Sequence, residues 1–405
     1  DFVAIDWSDG VFQSELGLAV GQLREITETQ RQLSSCPVLF AWDGEKFAFV
    51  SDFLGVGGMG YAIGPNQFAT PRPWENFLLP DGALRPKDGR LVLKIGEPME
   101  ENAYIDTARL AVYDLPPDWQ MVMDERMGIS DPQPTGAPFF FRDELLPASA
   151  VNDRGDDVLA AVLDGDGVAA PVGPLDHRFI GLLEREHVLT LEFPAPLDGR
   201  QGMPLLVIDG WVEYPYSQTN FAAWQAGATF EAPTVEAFDG EQWRVLLDQF
   251  GYPAGMPRRM SVALPPLPAG TSRLRLRTNM QIYWDRVAVA FAEQPPAHGR
   301  QVAPLAAAEV GKTGFARRDT LGQFRPHYDY ADRSPFWDTR YMAGYYTRLG
   351  PARELVAEHD DAVAIIGPGE EVHLEFVATD PAPEGWRRYF VLETRGWAKD
   401  MDFVT

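Results

Sequence analysis

The stretch GWVEYPYSQTNFAAWQAG, residues 210–227, sets five aromatic rings among amide, hydroxyl and carboxylate side chains. Aromatic rings stack on the apolar faces of sugars, while amides and carboxylates bind sugar hydroxyl groups. Because Pro215 ends sheet pairing, residues 215–226 are expected to form a loop that leaves the sheet, with a short helical turn near 220–225. In the alternative, the aromatic side chains belong to the core of a β-domain. The predicted ligand-binding residues are Glu213, Tyr216, Gln218, Asn220 and Trp224.

A second polar group follows in RLRLRTNMQIYWD, residues 273–285. Arg273, Arg275 and Arg277 alternate with apolar residues and therefore share one face of a predicted strand. Such a stripe could bind carboxylates of a ligand, a sulfated glycan or a partner chain. The alternative is a solvated face neutralised by acidic residues across the sheet. The predicted ligand-binding residues of this group are Arg277, Asn279, Tyr283 and Asp285.

Two acidic, glycine-containing segments, NDRGDD and LDGDG, suggest calcium as a cofactor. Calcium takes six to eight oxygen ligands, which carboxylate-rich loops supply. The full EF-hand spacing is absent, so ordinary acidic turns remain the alternative. The predicted metal ligands are Asp153, Asp156, Asp157, Asp164 and Asp166.

Catalytic motifs are scarce in this sequence. It has no HExxH zinc motif and no GxSxG nucleophile elbow. The single cysteine, Cys36, excludes an internal disulfide and cysteine-based metal clusters. A polysaccharide hydrolase could still use Glu213 and Asp285 as its pair of acids.

The net charge of the chain limits the classes of partner that we expect it to bind. Lys and Arg number 35 and Asp and Glu 59, which gives a net charge of −24. Nucleic acids and anionic membranes both attract positive surfaces, so neither is expected as the main partner. No apolar run approaches the roughly 18 residues of a membrane span.

The elements that must position these residues are β-strands. Short alternating runs such as RLVLKI, VLTLEF and RLRLRT lie between Gly- and Pro-containing turns, which favours antiparallel sheets. We therefore predict an all-β fold of two or three β-sandwich, jelly-roll-like domains with a small helical insertion near 338–359. The predicted pieces are residues 1–35, a β-module tail; 36–125, a β-domain; 126–185, a loop-rich connection; 186–293, a jelly roll; and 294–405, a linker with short helices and strands.

The first 28 residues resemble the C-terminal end of the ASPIC/UnbV module. The matching positions are Trp7, Gly10, Gln13, Gly21, Gln22 and Glu28, with Ser8 standing where the module usually has proline. The following CPVLFAWDGEKFAFVSD is similar to the region downstream of this module in bacterial FG-GAP repeat proteins of the CRTAC type. The resemblance implies a missing N-terminal part of the same polypeptide, a calcium-binding propeller, and export to the periplasm, cell surface or medium. It implies no catalytic residues.

Residues 186–293 separately resemble a galactose-binding-like jelly roll, through LTLEF, LLVIDGWVEYP and the closing IYWDRVAVAFAE. The resemblance implies that loops at one end of the sandwich bind sugars or other ligands. We therefore expect a non-catalytic recognition or assembly region of a large exported bacterial protein, whose partner is a glycan or a protein. The alternatives are the hydrolase above and a structural subunit of a cell-surface assembly or filament.

Overall fold

The computed structural model describes residues 2–7, 12–27, 36–128, 131–213, 215–295, 299–334 and 341–400. The all-β prediction is confirmed, since strands arranged in antiparallel sheets dominate these ranges. Gly10 and Glu28, two positions of the ASPIC/UnbV resemblance, lie outside the described residues.

The strands fall into three groups along the chain. The first group is β1 (Phe2–Asp6), β2 (Phe12–Leu16), β3 (Val38–Trp42), β4 (Phe47–Asp52), β5 (Ala62–Gly64), β6 (Gln67–Phe68), β7 (Trp74–Leu78), β8 (Pro86–Lys87), β9 (Arg90–Gly96) and β10 (Glu101–Leu115). The second is β11 (Gln120–Met123), β12 (Pro138–Leu145), β13 (Ser149–Asn152), β14 (Leu182–Glu192), β15 (Met203–Val212), β16 (Thr234–Phe238), β17 (Trp243–Leu247), β18 (Arg258–Ala263), β19 (Arg273–Met280) and β20 (Ile282–Glu293). The third is β21 (Gly299–Ala303), β22 (Leu305–Lys312), β23 (Phe315–Thr320), β24 (Pro326–Ser334), β25 (Gly350–Pro351), β26 (Ala364–Ile366), β27 (Glu370–Val377) and β28 (Arg387–Asp400).

The first sandwich combines the first and third groups. Its sheet I has the order β25-β22-β27-β9-β3-β4, with β8 on β9, and its sheet II the order β21-β10-β28-β7, with β26 on β10. One continuous apolar core, which includes Leu39, Ile105 and Leu374, lies between them. Residues 36–115 and 299–400, which the sequence places in separate pieces, therefore share both sheets.

The second sandwich uses the chain between them. Its sheet III has the order β11-β12-β20-β15-β18, and its sheet IV the order β13-β14-β19-β16-β17. Trp284, Phe250 and Phe291 are buried in the core between these sheets. This sandwich begins at Gln120, so the region 126–185, expected to be loop-rich, also supplies β12 and β13.

The two sandwiches contact each other through sheets II and III. Tyr113 and Tyr389 of sheet II pack with Met121 and Phe140 of sheet III in a shared apolar cluster. A buried ion pair also crosses this contact, because Arg258 of β18 binds Glu75 of β7.

Helical structure differs from the sequence prediction at two places. The helix α1 (Ser217–Gln225) includes the helical turn expected near 220–225 and begins earlier, in the segment expected to be a loop, and Gly227, with φ of 73°, follows its end. Glycine adopts this left-handed conformation without a steric cost, which stops the helix. Near 338–359 the described residues hold one short 3₁₀ helix, Arg353–Leu355, because Ala352 and Val356 on either side are drawn into the core of the first sandwich. The other 3₁₀ helices in the described ranges are Gly55–Gly57, Leu159–Val162 and Gly322–Phe324.

Candidate functional site

The aromatic stretch 210–227 divides at the end of β15. Trp211 lies within the strand and is buried, and its ring stacks on Tyr283 with centroids 5.2 Å apart. Its indole N–H donates to the carbonyl of Gln323 at 3.0 Å. Tyr214 lies outside the described residues. Trp211 is therefore a core side chain, as the alternative interpretation of this stretch predicts.

The following residues form α1, which docks on the hairpin β5–β6. Asn220 donates its amide to the carbonyl of Ala62 at 2.9 Å, and the Ser217 hydroxyl accepts from the Ala62 N–H at 3.1 Å. Tyr61 donates its hydroxyl to the carbonyl of Pro215. The segment is thus a helix that is longer than the helical turn expected near 220–225, because these contacts hold it against residues 61–62. The side chain of Asn220 serves the docking.

The other predicted residues of this stretch differ in exposure. Tyr216 is 5% exposed, Gln218 is half-buried, and Trp224 is 44% exposed beside Phe221. Glu213 is half-buried just after β15. Of the predicted ligand-binding residues, the structure brings Glu213 and Tyr216 together at one cavity.

This cavity, which we call the end cavity, lies at one end of the second sandwich and has a volume of about 420 Å³. It forms where β14 begins, β15 ends and Gln281 connects β19 to β20. A fourth wall comes from the hairpin β23–β24 of the C-terminal segment. The lining residues that matter to its chemistry are His177, Phe179, Glu213, Gln281, Arg318 and Phe324.

The loop 175–182 closes against the end of β15 at Gly181. Gly181 has φ of 78°, and a Cβ atom there would overlap the carbonyl oxygen of Glu213. The Gly181 carbonyl accepts the N–H of Gln281 at 2.8 Å. Glycine is therefore required by both the backbone conformation and the close approach.

The polar groups of the end cavity are unevenly paired. Gln281 is buried and donates its amide to the Tyr283 hydroxyl at 2.6 Å. Asp176 is bound by Arg178, whose hydrogen bonds lower the pKa of Asp176 to about 2. The Nε atom of Arg318 is buried, and no described group hydrogen-bonds to it. Arg318 is therefore a cationic donor at the cavity wall with hydrogen-bonding capacity to spare.

The tip of the hairpin β23–β24 is fixed to the second sandwich. Gln323 exchanges two side-chain hydrogen bonds with the backbone of Ala169, at 2.9 and 2.8 Å. Gln323 and Phe324 both have left-handed backbone, with φ of 58° and 54°, a conformation that persists in such residues when surrounding contacts impose it. The tip thereby holds Phe324, 52% exposed, at the edge of the end cavity.

The arginine stripe lies outside the end cavity and is paired within sheet IV. Arg277 binds Glu236 at 3.1 Å and also Glu186, while Arg275 binds Glu236. Asn279 accepts the N–H of Glu231 and donates to the carbonyl of Thr229. The pairing of Arg275 and Arg277 fits the alternative of a face neutralised across the sheet, and Asn279 is engaged by backbone groups of residues 229 and 231.

Tyr283 and Asp285 are buried rather than placed at an exposed strand end. Asp285 is 4% exposed, and both of its carboxylate oxygens accept the N–H of Gly167, at 3.1 and 3.0 Å. Burial raises the pKa of Asp285 to about 6. Asp285 lines a different cavity, of about 560 Å³ between the sandwiches, with Asp164 and Asp209. Glu213 and Asp285 therefore do not face one substrate as a hydrolase pair.

Four of the five expected calcium ligands are occupied by protein groups. Asp153 binds Arg185 and His187, Asp156 binds Arg154, and Asp157 accepts the N–H of Leu159. Asp166 accepts the N–H of Val168, and the Gly165 backbone lies against Asp209. No three acidic, histidine or cysteine side chains in the described ranges are arranged to hold a metal ion. The geometry of the described residues therefore gives no support to a calcium site in these loops, which stays a prediction.

Sequence reasoning missed His177, Gln281, Arg318 and Phe324 as cavity residues. Gln281 lies within a stretch that the sequence singled out, so only its role was overlooked. Arg318 and Phe324 come from a hairpin whose tip lies more than 100 positions after Ala169 and Trp211, the residues it contacts. No local sequence pattern predicts a contact over that separation.

Comparison with known proteins adds no relative. No family model, no curated protein and no solved structure matches the chain. In the part of the chain that the structure describes, none of the helices has the length and apolar character needed to cross a membrane. The site must therefore be interpreted from its own geometry.

Proposed function

We propose that the chain is a non-catalytic recognition region that binds a carbohydrate in the end cavity. One observation carries the proposal: a cavity of about 420 Å³ at the end of a β-sandwich that combines aromatic walls with amide, carboxylate and guanidinium groups. Ligand sites of this kind are concave and mostly apolar, with a few placed polar groups. A location outside the cytoplasm remains part of this proposal.

The chemistry of the walls suits a sugar. Phe179 and Phe324 offer ring faces or edges to the apolar side of a pyranose. Glu213 accepts hydrogen bonds from hydroxyl groups, and Arg318 donates them. The hydrolase alternative loses its acid pair, since Asp285 belongs to the other cavity.

A protein partner is the second candidate. Ile180, Leu321 and Phe324, three exposed apolar residues, lie on the loop and hairpin that border the end cavity. Exposed apolar side chains grouped around a polar pocket are typical of interaction sites. In that case a loop of the partner would enter the cavity in place of a sugar.

A glycan array followed by calorimetry tests the proposal. We expect the chain to bind a defined glycan and the Phe324→Ala and Arg318→Gln variants to lose affinity about tenfold. Leu321→Ala is the matched control, since Leu321 is an exposed apolar residue of the same hairpin that does not line the cavity. Absence of glycan binding, or equal affinity of all three variants, would sink the proposal. Capture of a protein whose binding depends on Phe324 would favour the second candidate.

A further inference from the structure

A second cavity, on the first sandwich, carries positive charge. It has a volume of about 270 Å³ and lies on the face of sheet II where that face continues past its contact with sheet III. We call it the basic pocket. Its side chains come from β10, β28 and β7, together with Thr135 and His359.

The strand register places the polar residues of the basic pocket in two rows. Alternate residues of β10 point to opposite faces, so Thr107 and Arg109 share the face of Ala111 and Tyr113. The cross-strand rows are Thr107–Arg395–Trp74 and Arg109–Glu393–Asn76. Arg109 and Arg395 are therefore diagonal neighbours on adjacent strands, roughly 7–8 Å apart at their Cα atoms.

Within the described ranges, neither arginine has a carboxylate of its own. Glu393, which faces Arg109 across the ladder, is bound by Arg300 at 2.7 Å. Arg109 and Arg395 themselves form no ion pair within 4.0 Å in the part of the chain that the structure describes. The protein has a net charge of −24 and therefore many carboxylates, yet these two guanidinium groups face an open cavity.

Two other side chains of the basic pocket, Trp74 and His359, are held in place by their neighbours. Trp74 is held between the Arg72 guanidinium, 4.4 Å from its ring centroid, and the backbone of Gly136. His359 is bound through Nδ1 by Asp106, a buried carboxylate at the bulge of β10. Asp106 thus orients the ring and leaves Nε2 for another partner. Preorganised donors of this kind bind a ligand at a low entropic cost.

We infer that the basic pocket binds the anionic group of an acidic sugar, a carboxylate or a sulfate. Guanidinium groups form paired, charge-assisted hydrogen bonds with planar oxyanions. Thr107 and Asn76 line the same cavity. The amide nitrogen of Asn76 donates to the Gly136 carbonyl at 2.9 Å, so Asn76 offers its amide oxygen, and Thr107 its hydroxyl, to the rest of such a sugar unit. The inference rests on the basic pocket and does not depend on the end cavity.

Titration calorimetry with glucuronate, inorganic sulfate and glucose tests the inference. We expect the intact chain to bind glucuronate or sulfate with an affinity that falls as sodium chloride is added, and not to bind glucose. The double variant Arg109→Gln/Arg395→Gln should lose about tenfold or more in affinity. The double variant with lysine at both positions should keep part of the binding, because the charges remain. Glucuronate and sulfate are separate arms that distinguish the two sources of the anion.

Two control variants test whether the anion binds in the basic pocket. Arg244→Gln removes an exposed arginine of sheet IV, and Phe324→Ala alters the end cavity. Both should bind the anions as the unaltered chain does. Absence of saturable binding of either anion, or equal binding by the glutamine double variant, would overturn the inference. Loss of anion binding in Phe324→Ala would do so as well, since it would assign the anion to the end cavity.

Discussion

Asp285 is a carboxylic acid that the fold has taken out of water. Burial beneath the 163–168 loop raises its pKa to about 6, although the N–H of Gly167 partly counteracts the shift. A raised pKa means that the folded state holds the proton more tightly than the unfolded state, whose value is 3.8. This residue therefore lowers the free energy of unfolding as pH rises from about 4 to 6, and the loss persists above 6.

We expect Asp285→Asn to gain stability relative to the unaltered chain as pH rises across that window. Urea unfolding at intervals from pH 4 to pH 8 gives the difference directly. Asp239→Asn is the control, because hydrogen bonds to the backbone of Gln242 and Glu241 lower the pKa of Asp239 to about 2. Its difference from the unaltered chain should change mainly below about pH 4 and stay nearly constant from pH 4 to pH 8. A difference for Asp285→Asn that does not change with pH would contradict the assignment.

At the scale of single elements, the loop 175–182 depends on one glycine. In Gly181→Ala the new methyl group would collide with the carbonyl oxygen of Glu213, so the loop must move away from β15. We expect a loss of at least about 2 kcal/mol in the free energy of unfolding, together with weaker ligand binding in the end cavity.

The matched control for this prediction is Gly199→Ala. Gly199 has nearly the same backbone conformation, with φ of 72°, and no described atom lies within 4 Å of the point that a Cβ atom would occupy there. Gly199→Ala should lower the free energy of unfolding by about 1 kcal/mol, which is typical of alanine in a left-handed backbone conformation. Equal losses for the two variants, measured by urea unfolding, would show that the close approach to Glu213 does not matter.

Strands were easier to predict from the sequence than the helix. Residues 273–280 alternate strictly between half-buried and buried side chains, as their apolar pattern predicts. For the segment 217–225 the sequence predicts only a helical turn near 220–225, since the docking partner Ala62 lies about 155 residues away. Residues 341–349 have helix-like spacing of apolar side chains, but Tyr341 and Tyr346 instead donate hydrogen bonds to the Pro368 and Met342 carbonyls.

At the scale of the whole molecule, Arg258 joins the two sandwiches. Its side chain is 5% exposed and binds Asp52 at 3.0 Å as well as Glu75. Arg258→Met would leave two buried carboxylates without their cation, which costs about 3–5 kcal/mol. We expect that loss in urea unfolding, and also a broader transition as the sandwiches come apart at different urea concentrations.

The neighbouring Arg259→Met is the matched control for this prediction. Arg259 pairs with Asp209 at 2.9 Å, but its side chain is 39% exposed. Pairs that reach solvent contribute at most about 1 kcal/mol. If both substitutions destabilise the chain equally, Arg258 has no special role between the sandwiches.

The sequence predicted β-sandwiches but not which strands share them. Leu93 of β9 pairs with Leu374 of β27, and Leu110 of β10 pairs with Leu392 of β28. Both pairs join residues about 280 positions apart, and any alternating strand has an equally suitable pattern. Pairing is decided by packing across the whole core, in which Leu93 and Leu374 of sheet I share one apolar cluster with Ile105 of sheet II. The end cavity is equally hard to predict from the sequence, because Arg318 reaches it from the third group of strands.

The second sandwich is inserted within the sequence of the first, and this sets the order in which the two can fold during translation. The last strand of the second sandwich ends at residue 293, whereas β27 and β28 of the first end at 377 and 400. Domains fold as units while the chain is being made. The inner domain therefore completes its sheets first, and strands β3 to β10 wait with unpaired edges for about 270 residues of further translation. During that interval they are the part of the nascent chain that most needs a chaperone.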